Sequence, residues 1–314
     1  MVAARPAPFG IQSLRTHDHT EAEAAVSGVH PLQVDRLSPG PAAAEFVQIE
    51  LDEVTVVAGN YGGPIHSRGE VRSDQTLIGL QMAVSPGYWN GRSFQQDAAW
   101  IYGPGAEHDG VGLEPTYFAA VGVPASLADV LRDDATPPRP LQVSLGSQTE
   151  SLRGVIADLV DLAATAAQHD QAGGQSAALA RPSLIDELAA VLRRGHHATR
   201  LDRGAAARIV EHCLQAADHL GPQPSPLDLG AATGLSDRRI RAAFNERLGV
   251  PVATYFRYRA LHAAHRELIA AEPGHTTVAT VATRWGFWHL GRFARRYDDQ
   301  FGESPSATLR TTWE

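Results

Sequence analysis

The sequence predicts an α+β protein. A β-rich amino-terminal domain of sandwich or jelly-roll type precedes an all-α domain with two helix-turn-helix motifs joined by a long helix. Three observations predict it: short alternating strands between turn signals up to about residue 145, helical periodicity almost to the end thereafter, and a change in charge between the two parts. Residues 1–202 hold 13 Arg against 24 acids, whereas 203–314 hold 14 Arg against 11, so an acidic front meets a mildly basic back. The chain has 314 residues, enough for about two domains.

Residues 1–30 read as a polar, flexible tail, with no apolar run of signal-peptide length, and no stretch approaches the ~18–20 apolar residues of a membrane span. A cytoplasmic protein without membrane contact is expected. The β-rich domain is placed at 31–148. "AEFVQIELDEVTVVAGNYGG" alternates as strands do and ends in a glycine-rich turn; "QTLIGLQMAV" and "DAAWIYG" read as further strands. "SPG", "GGP", "SPGYWNG", "GPGAEHDG" and "GVP" supply the turns. Regularly spaced short strands suggest a sandwich or jelly-roll.

"TPPRP" at 136–140 breaks the β pattern. A helical linker region is expected over 149–202, with Leu152, Ile156, Leu159 and Leu162 at helical spacing and "SLIDELAAVLRR" as a second amphipathic helix. The intervening "QHDQAGGQSAALARP" is flexible by composition, and His196–His197 reads as a solvated turn. Cys213, the single cysteine, excludes an internal disulfide and a cysteine-based zinc site, and its helical surroundings make it a buried structural thiol.

Two segments of the helical part, 203–314, share one plan. "LDLGAATGLSDRRIRAAFNERLG" (227–249) and "TVATVATRWGFWHLGRFARRYDDQFG" (277–302) each have a short apolar helix, a glycine-containing turn (Gly234, Gly286) and a longer helix. That is the helix-turn-helix plan, whose second helix enters a DNA major groove. In the first, Leu235, Ile240, Phe244 and Leu248 form the inward stripe, leaving Arg238, Arg239, Arg241, Ala242 and Asn245 outside. In the second, Leu290, Phe293, Tyr297 and Phe301 point inward, and His289, Gly291, Arg292, Arg295 and Arg296 fall on or beside the outer face. Guanidinium groups so spaced reach guanine O6/N7 or phosphates. The helix between the motifs, opened by Pro251, spans roughly 30 Å, close to the ~34 Å between successive major-groove faces.

The stretches "GLSDRRIRAAFNERLGVPVATYFRYRALHAAHREL" and "VATVATRWGFWHLGRFARRYDDQFGESPSATLR" resemble the AraC/XylS class of bacterial transcription regulators over roughly 225–310. The form "WGFWHLGRFA" with the following FG and PS resembles the subgroup containing ethanolamine-operon regulators. The resemblance implies two helix-turn-helix units on double-stranded promoter DNA, contact with RNA polymerase, an activator role, and a cupin-like sensor domain that binds a small-molecule effector and supports a homodimer. It places Arg238, Arg241 and Ala242 of the first recognition helix, and His289, Gly291, Arg292, Arg295 and Arg296 of the second, at or beside base-facing positions.

Within the β-rich part, His66, Tyr88, Trp89, Trp100 and Tyr102 are the candidate effector-pocket residues, with Tyr61 and His108 beside them. No catalytic residue, metal ligand or cofactor is expected. The only His-x-His is His17–His19, in the expected tail, and Glu107–His108 lacks partners at cupin spacing. A cupin-type metalloenzyme, a DNA-repair methyl acceptor and a dimeric scaffold with a helical interaction domain stand as alternatives.

Overall fold

The computed structural model describes residues 9–41, 43–132, 141–144, 146–168, 173–195, 204–272 and 274–311. In chain order the amino-terminal part runs β1 (Phe9–Thr16), α1 (His19–Ser27), β2 (Leu32–Arg36), β3 (Ala44–Leu51), β4 (Val54–Tyr61), β5 (Ile65–Glu70) and β6 (Gln75–Gln81). It continues with β7 (Gly87–Trp89), β8 (Arg92–Ser93), β9 (Ala98–Tyr102), β10 (Glu107–Gly112), β11 (Thr116–Pro124), α2 (Ala125–Arg132), β12 (Leu141–Ser144), α3 (Ser147–Gln168) and α4 (Gly173–Gly195).

Among the described residues the strands form two antiparallel sheets. One has seven strands in the order β1-β3-β4-β11-β6-β9-β12; the other has five, β2-β5-β10-β7-β8. The central strands of the seven-stranded sheet are apolar on both faces, because both are covered, whereas β1 and β3 at its edge keep exposed polar residues. Phe46, Val57, Leu77, Trp100 and Ala120 meet Val34, Ile65 and Trp89 of the second sheet. The alternate residues Ile49, Val56, Ile78, Ile101 and Val121 pack beneath α2, α3 and α4. The β7–β8 hairpin turns on Asn90 (φ 44°) and Gly91 (φ 82°), the Asn-Gly pair that such tight turns favour.

Two expectations are corrected. The supposed tail is built into the domain from Phe9: β1 pairs with β3 over its whole length, and Ala22 and Val26 of α1 are fully buried. Its polar residues misled because they cap and edge the structure; Asp18 Oδ1 accepts the Thr20 N–H at 2.7 Å. The flexible segment expected between the linker helices is also shorter, since α4 begins at Gly173 and runs through Pro182. Burial of Leu184, Leu188, Val191 and Leu192 stabilises α4; at roughly 1.5–3 kcal/mol per large apolar side chain this outweighs one proline. Leu152, Ile156 and Leu159 of α3 are buried on the same sheet, so these helices are a layer of the β domain. "TPPRP" and His196–His197 lie outside the described residues.

The helical part comprises α5 (Ala205–Leu220), α6 (Pro226–Thr233), α7 (Asp237–Leu248), α8 (Val252–Ile269), α9 (Val278–Arg284), α10 (Leu290–Phe301) and α11 (Pro305–Thr311). It has two cores, and α8 belongs to both. Val252, Tyr255 and Phe256 pack with α5, α6 and α7; Ala260, Leu261, Ala264 and Leu268 pack with α9, α10 and α11. Its 18 residues span about 27 Å. No described helix is long and apolar enough to cross a membrane.

Candidate nucleic-acid interface

Each helical pair is fixed by its caps and its turn. At the start of α6, Ser225 Oγ accepts the Asp228 N–H (3.2 Å) and the Asp228 carboxylate accepts the Ser225 N–H (2.8 Å), a reciprocal capping box ahead of Pro226. Gly234, at φ 71°, closes α6 in the left-handed region and turns the chain into α7. In the second pair Thr277 Oγ1 accepts the Thr280 N–H (3.1 Å), and Gly286 at φ 79° supplies the turn between α9 and α10.

On α7 the structure buries Ile240, Phe244 and Leu248, and it half-buries Leu235 in the turn before it, while Arg238, Arg239, Arg241, Ala242 and Asn245 are exposed. Arg241 Nε donates to Asp237 Oδ2 at 2.8 Å, a surface pair one turn apart that holds the guanidinium along the outer face. On α10 Phe293 and Tyr297 are buried; His289, the N-cap, and Gly291, Arg292, Arg295 and Arg296 are exposed. Leu290 is a correction: it is 45% exposed rather than inward, because it opens α10 beside Trp288, which is 75% exposed. The outer face of α10 therefore carries two apolar side chains along with its three arginines. Trp285, by contrast, is held in the fold, its Nε1–H donating to Glu267 Oε2 at 2.7 Å.

The arginine faces are open, while the opposite side of the helical part docks on the five-stranded sheet through buried polar groups. Asp35, fully buried, accepts Arg266 at 2.8 Å and Arg68 at 3.2 Å, and Glu23 accepts Arg266 at 2.9 Å. Burial alone would raise the Asp35 pKa, but Arg266 and Arg68 hold it well below the carboxylate range. The Arg36 backbone N–H donates to His262 Nε2 at 3.0 Å, and the Arg36 guanidinium donates to the Gln300 carbonyl at 3.2 Å. Gln300 Nε2 donates to the Ser38 carbonyl (3.0 Å), tying α10 to the loop after β2.

Nearer α7, Arg247 donates to Asp109 Oδ1 at 2.6 Å and lies 4.5 Å over the Tyr88 ring. Asp109 Oδ2 also meets His66 Nε2 at 3.1 Å, and His66 Nδ1 meets the Tyr255 hydroxyl of α8 at 2.9 Å. Burial lowers the His66 pKa despite the Asp109 carboxylate.

This placement divides the expected effector residues. Trp89 and Tyr102, with Tyr61 and His108, line a cavity of about 50 Å³ between the two sheets. His66 and Tyr88 do not line it: strand alternation turns them to the other face, where they hold α8 and α7. Trp100 is buried behind the cavity, edge-on to Trp89 at 5.8 Å. The docking residues Asp35, Asp109, Arg247, Arg266 and His262 carry no local pattern that could have revealed them, because each acts across more than a hundred residues or from an otherwise ordinary helix face. Cys213 is buried as expected, and burial pushes its thiol up to about 11. Among the described residues no group of three or more His, Cys, Asp or Glu side chains is placed to hold a metal ion. His17 lies ahead of the Asp18 cap, and His19 is the first residue of α1.

Residues 229–311 match a family described as a helix-turn-helix domain. The probable thc operon regulatory protein of Rhodococcus erythropolis is 38% identical over 78 residues, 25% of this chain and 24% of that protein. The XylDLEGF operon transcriptional activator 1 of Pseudomonas putida is 36% identical over 76 residues, 24% of this chain and 23% of that protein. The chain thus spans about a quarter of the length of these curated relatives. The crystal structure of a probable AraC family transcriptional regulator from Rhodopseudomonas palustris is 36% identical, with 33% of this chain and 97% of that one covered and a TM-score of 0.30. The matched domain and these relatives support an AraC-family transcription regulator with a helix-turn-helix DNA-binding domain in its carboxy-terminal part.

Proposed function

We propose that the protein is a sequence-specific transcription regulator, an activator, that grips promoter DNA with two helix-turn-helix units and is controlled by a small-molecule effector in a cupin-like, jelly-roll amino-terminal domain. The observation that carries the reading is the matched pair of helical units at the two ends of α8, each with an apolar face inward and arginines outward. In this reading Arg238, Arg239, Arg241 and Ala242 of α7, and His289, Gly291, Arg292, Arg295 and Arg296 of α10, contact bases or phosphates. The ~27 Å of α8 sets the units about one helical turn apart on one DNA face. Residues 203–314 form the DNA-binding domain and the β domain with α1 to α4 the sensor, with RNA polymerase and a second copy of the chain as further partners.

Effector control is supported by the five-stranded sheet, which serves two surfaces at once. Ser67 and His108 line the inter-sheet cavity, whereas their neighbours His66 and Asp109 hold α8 and α7. A ligand that shifts β5 or β10 therefore moves the groups that seat the DNA-binding helices.

The test is a mobility-shift series with the full chain and the DNA upstream of its own gene, at several salt concentrations. Binding should weaken steeply with salt, as phosphate contacts require. Arg292→Ala with Arg295→Ala should remove the preference for that DNA over an unrelated duplex. Unchanged preference in the folded double variant would refute the site assignment.

A further inference from the structure

The inter-sheet cavity has a chemistry of its own. Its body is apolar: Leu32, Ile65, Leu77, Trp89, Phe94 and Phe118 contribute to the wall. Set into that wall are polar groups, almost fully buried, with atoms that have no hydrogen-bond partner among the described residues. These are the Tyr61 hydroxyl, both ring nitrogens of His30, and His108 Nδ1. Tyr61 is 4% exposed, His30 2% and His108 8%. Buried polar atoms left without a partner cost about 1–3 kcal/mol each, so three such residues around one cavity mark a place where something else supplies the hydrogen bonds.

Proton accounting sharpens this. The Ser67 hydroxyl has one proton and two acceptors in reach, the Gly110 carbonyl at 3.2 Å and His108 Nε2 at 3.1 Å, and the His108 tautomer follows from which of them takes it. In either tautomer His108 Nδ1 is left with a lone pair or an N–H to satisfy. Tyr61 offers an O–H, and His30, in a neutral ring, offers one donor and one acceptor. Among the described residues the wall contains no Arg, Asp or Glu. Burial keeps both histidines neutral, bringing His108 down to about 4 and His30 well below its ordinary value, where His108 also opposes a charge. A carboxylate or ammonium entering here would lose its hydration and meet no opposite charge.

We propose that the cavity binds a small uncharged molecule with an apolar body and one hydroxyl or amide head, the head exchanging hydrogen bonds with His108 Nδ1, Tyr61 and His30. The proposal rests on the reading of the β domain as a sensor and specifies the class of its effector. The cavity of about 50 Å³ is smaller than the ~150 Å³ that takes up benzene, so it favours short bodies, and even a four-carbon body enters only if the half-buried Phe94 yields.

The experiment is calorimetric titration of the full chain with three probes of one shape, isobutanol, isobutyrate and isobutylammonium, and with benzyl alcohol as a larger neutral probe. Saturable binding is expected for isobutanol and not for its two charged counterparts. Tyr61→Phe should weaken isobutanol about 2- to 10-fold, the worth of one hydrogen bond, while raising the melting temperature of the ligand-free protein, because a buried hydroxyl without a partner is removed. Gly79→Ala is the second variant: its added methyl would lie 3.6 Å from the Trp89 ring, an ordinary contact, so it fills part of the cavity without strain. It should fold normally and bind isobutanol less well. Tighter binding of either charged probe, no saturable binding of either alcohol, or full isobutanol affinity in both variants would overturn the proposal. None of these outcomes bears on DNA binding by the same protein, which the mobility-shift series decides separately.

Discussion

Replacing His262 by Gln tests whether the interface between the β domain and α8 is built on a histidine that must stay neutral. His262 is fully buried, and its Nε2 accepts the Arg36 backbone N–H at 3.0 Å, which requires a lone pair there. Burial is the main cause that brings its pKa down to about 3; Arg266, Arg36 and His265 oppose a charge as well, and Asp35 favours one without prevailing. In the unfolded chain a histidine titrates near ~6.5. Between these limits the unfolded state binds a proton that the folded state refuses, so stability is complete above about pH 6.5 and falls as the pH drops, by ~1.4 kcal/mol per unit. At pH 5 the loss from this residue is about 2 kcal/mol. His108, brought down to about 4 by burial, adds a similar amount over the same interval. Glutamine keeps an acceptor near the Nε2 position and does not titrate. Urea unfolding at pH 7.5 and pH 5, at matched ionic strength, should therefore show His262→Gln losing about 2 kcal/mol less than the parent. Equal losses in the two proteins would refute a neutral, buried His262 at this contact.

Four further outcomes follow from the same geometry. Arg266→Met leaves Asp35 and Glu23 facing each other with only Arg68 opposite; since Arg266 is 23% exposed, the cost should be about 2–4 kcal/mol by urea unfolding, at or below that of a fully buried pair. Gly234→Ala meets no atom within 4 Å but must hold φ 71°, so it should cost about 1–2 kcal/mol without changing the fold by circular dichroism. Trp288→Ala removes a side chain that is 75% exposed and should leave unfolding within ~0.5 kcal/mol of the parent while weakening DNA binding in a mobility shift; unaltered binding would remove Trp288 from the contact face. Arg295→Ala alone should weaken all duplexes and flatten the dependence of log affinity on log salt by about one if it contacts a phosphate, or relax preference at one base pair if it reads a base.

The helical part was legible because its signals are local. Gly234 and the stripe of Ile240, Phe244 and Leu248 sit in one short continuous segment, and the structure uses each where the spacing put it. Leu290 departs from its stripe because helical periodicity says nothing about the first turn, where the inward face has nothing left to pack against. The β domain was less legible. The central strands of its seven-stranded sheet are buried on both faces, so strands such as "AAWIY" lose the alternation that separates core from surface. Alternation also decided the effector residues: His66 and Ser67 are adjacent, yet one faces α8 and the other the cavity, and no pattern in "GPIHSRGE" assigns the faces.

The interface left unread is also the one that gives the molecule its arrangement. An apolar seam between the domains would have been the simpler route to stability, because two charges withdrawn from water repay their desolvation only when the geometry is good and every lone pair is met. Here Arg266 spans both acids and the Val34 carbonyl (2.9 Å), while Glu23 takes the Val34 N–H at 2.6 Å. Such a set has one satisfied geometry, whereas Leu37 and Val111, which also reach the helical core, would tolerate sliding. The buried charges therefore set the orientation of α8 against β2 and β5 more sharply than apolar contact could. Since α8 carries a helical pair at each end, that orientation fixes how both arginine faces are presented to solvent. Disturbance of β5 or β10 then acts on the pose of the two faces together, without touching a single arginine on either.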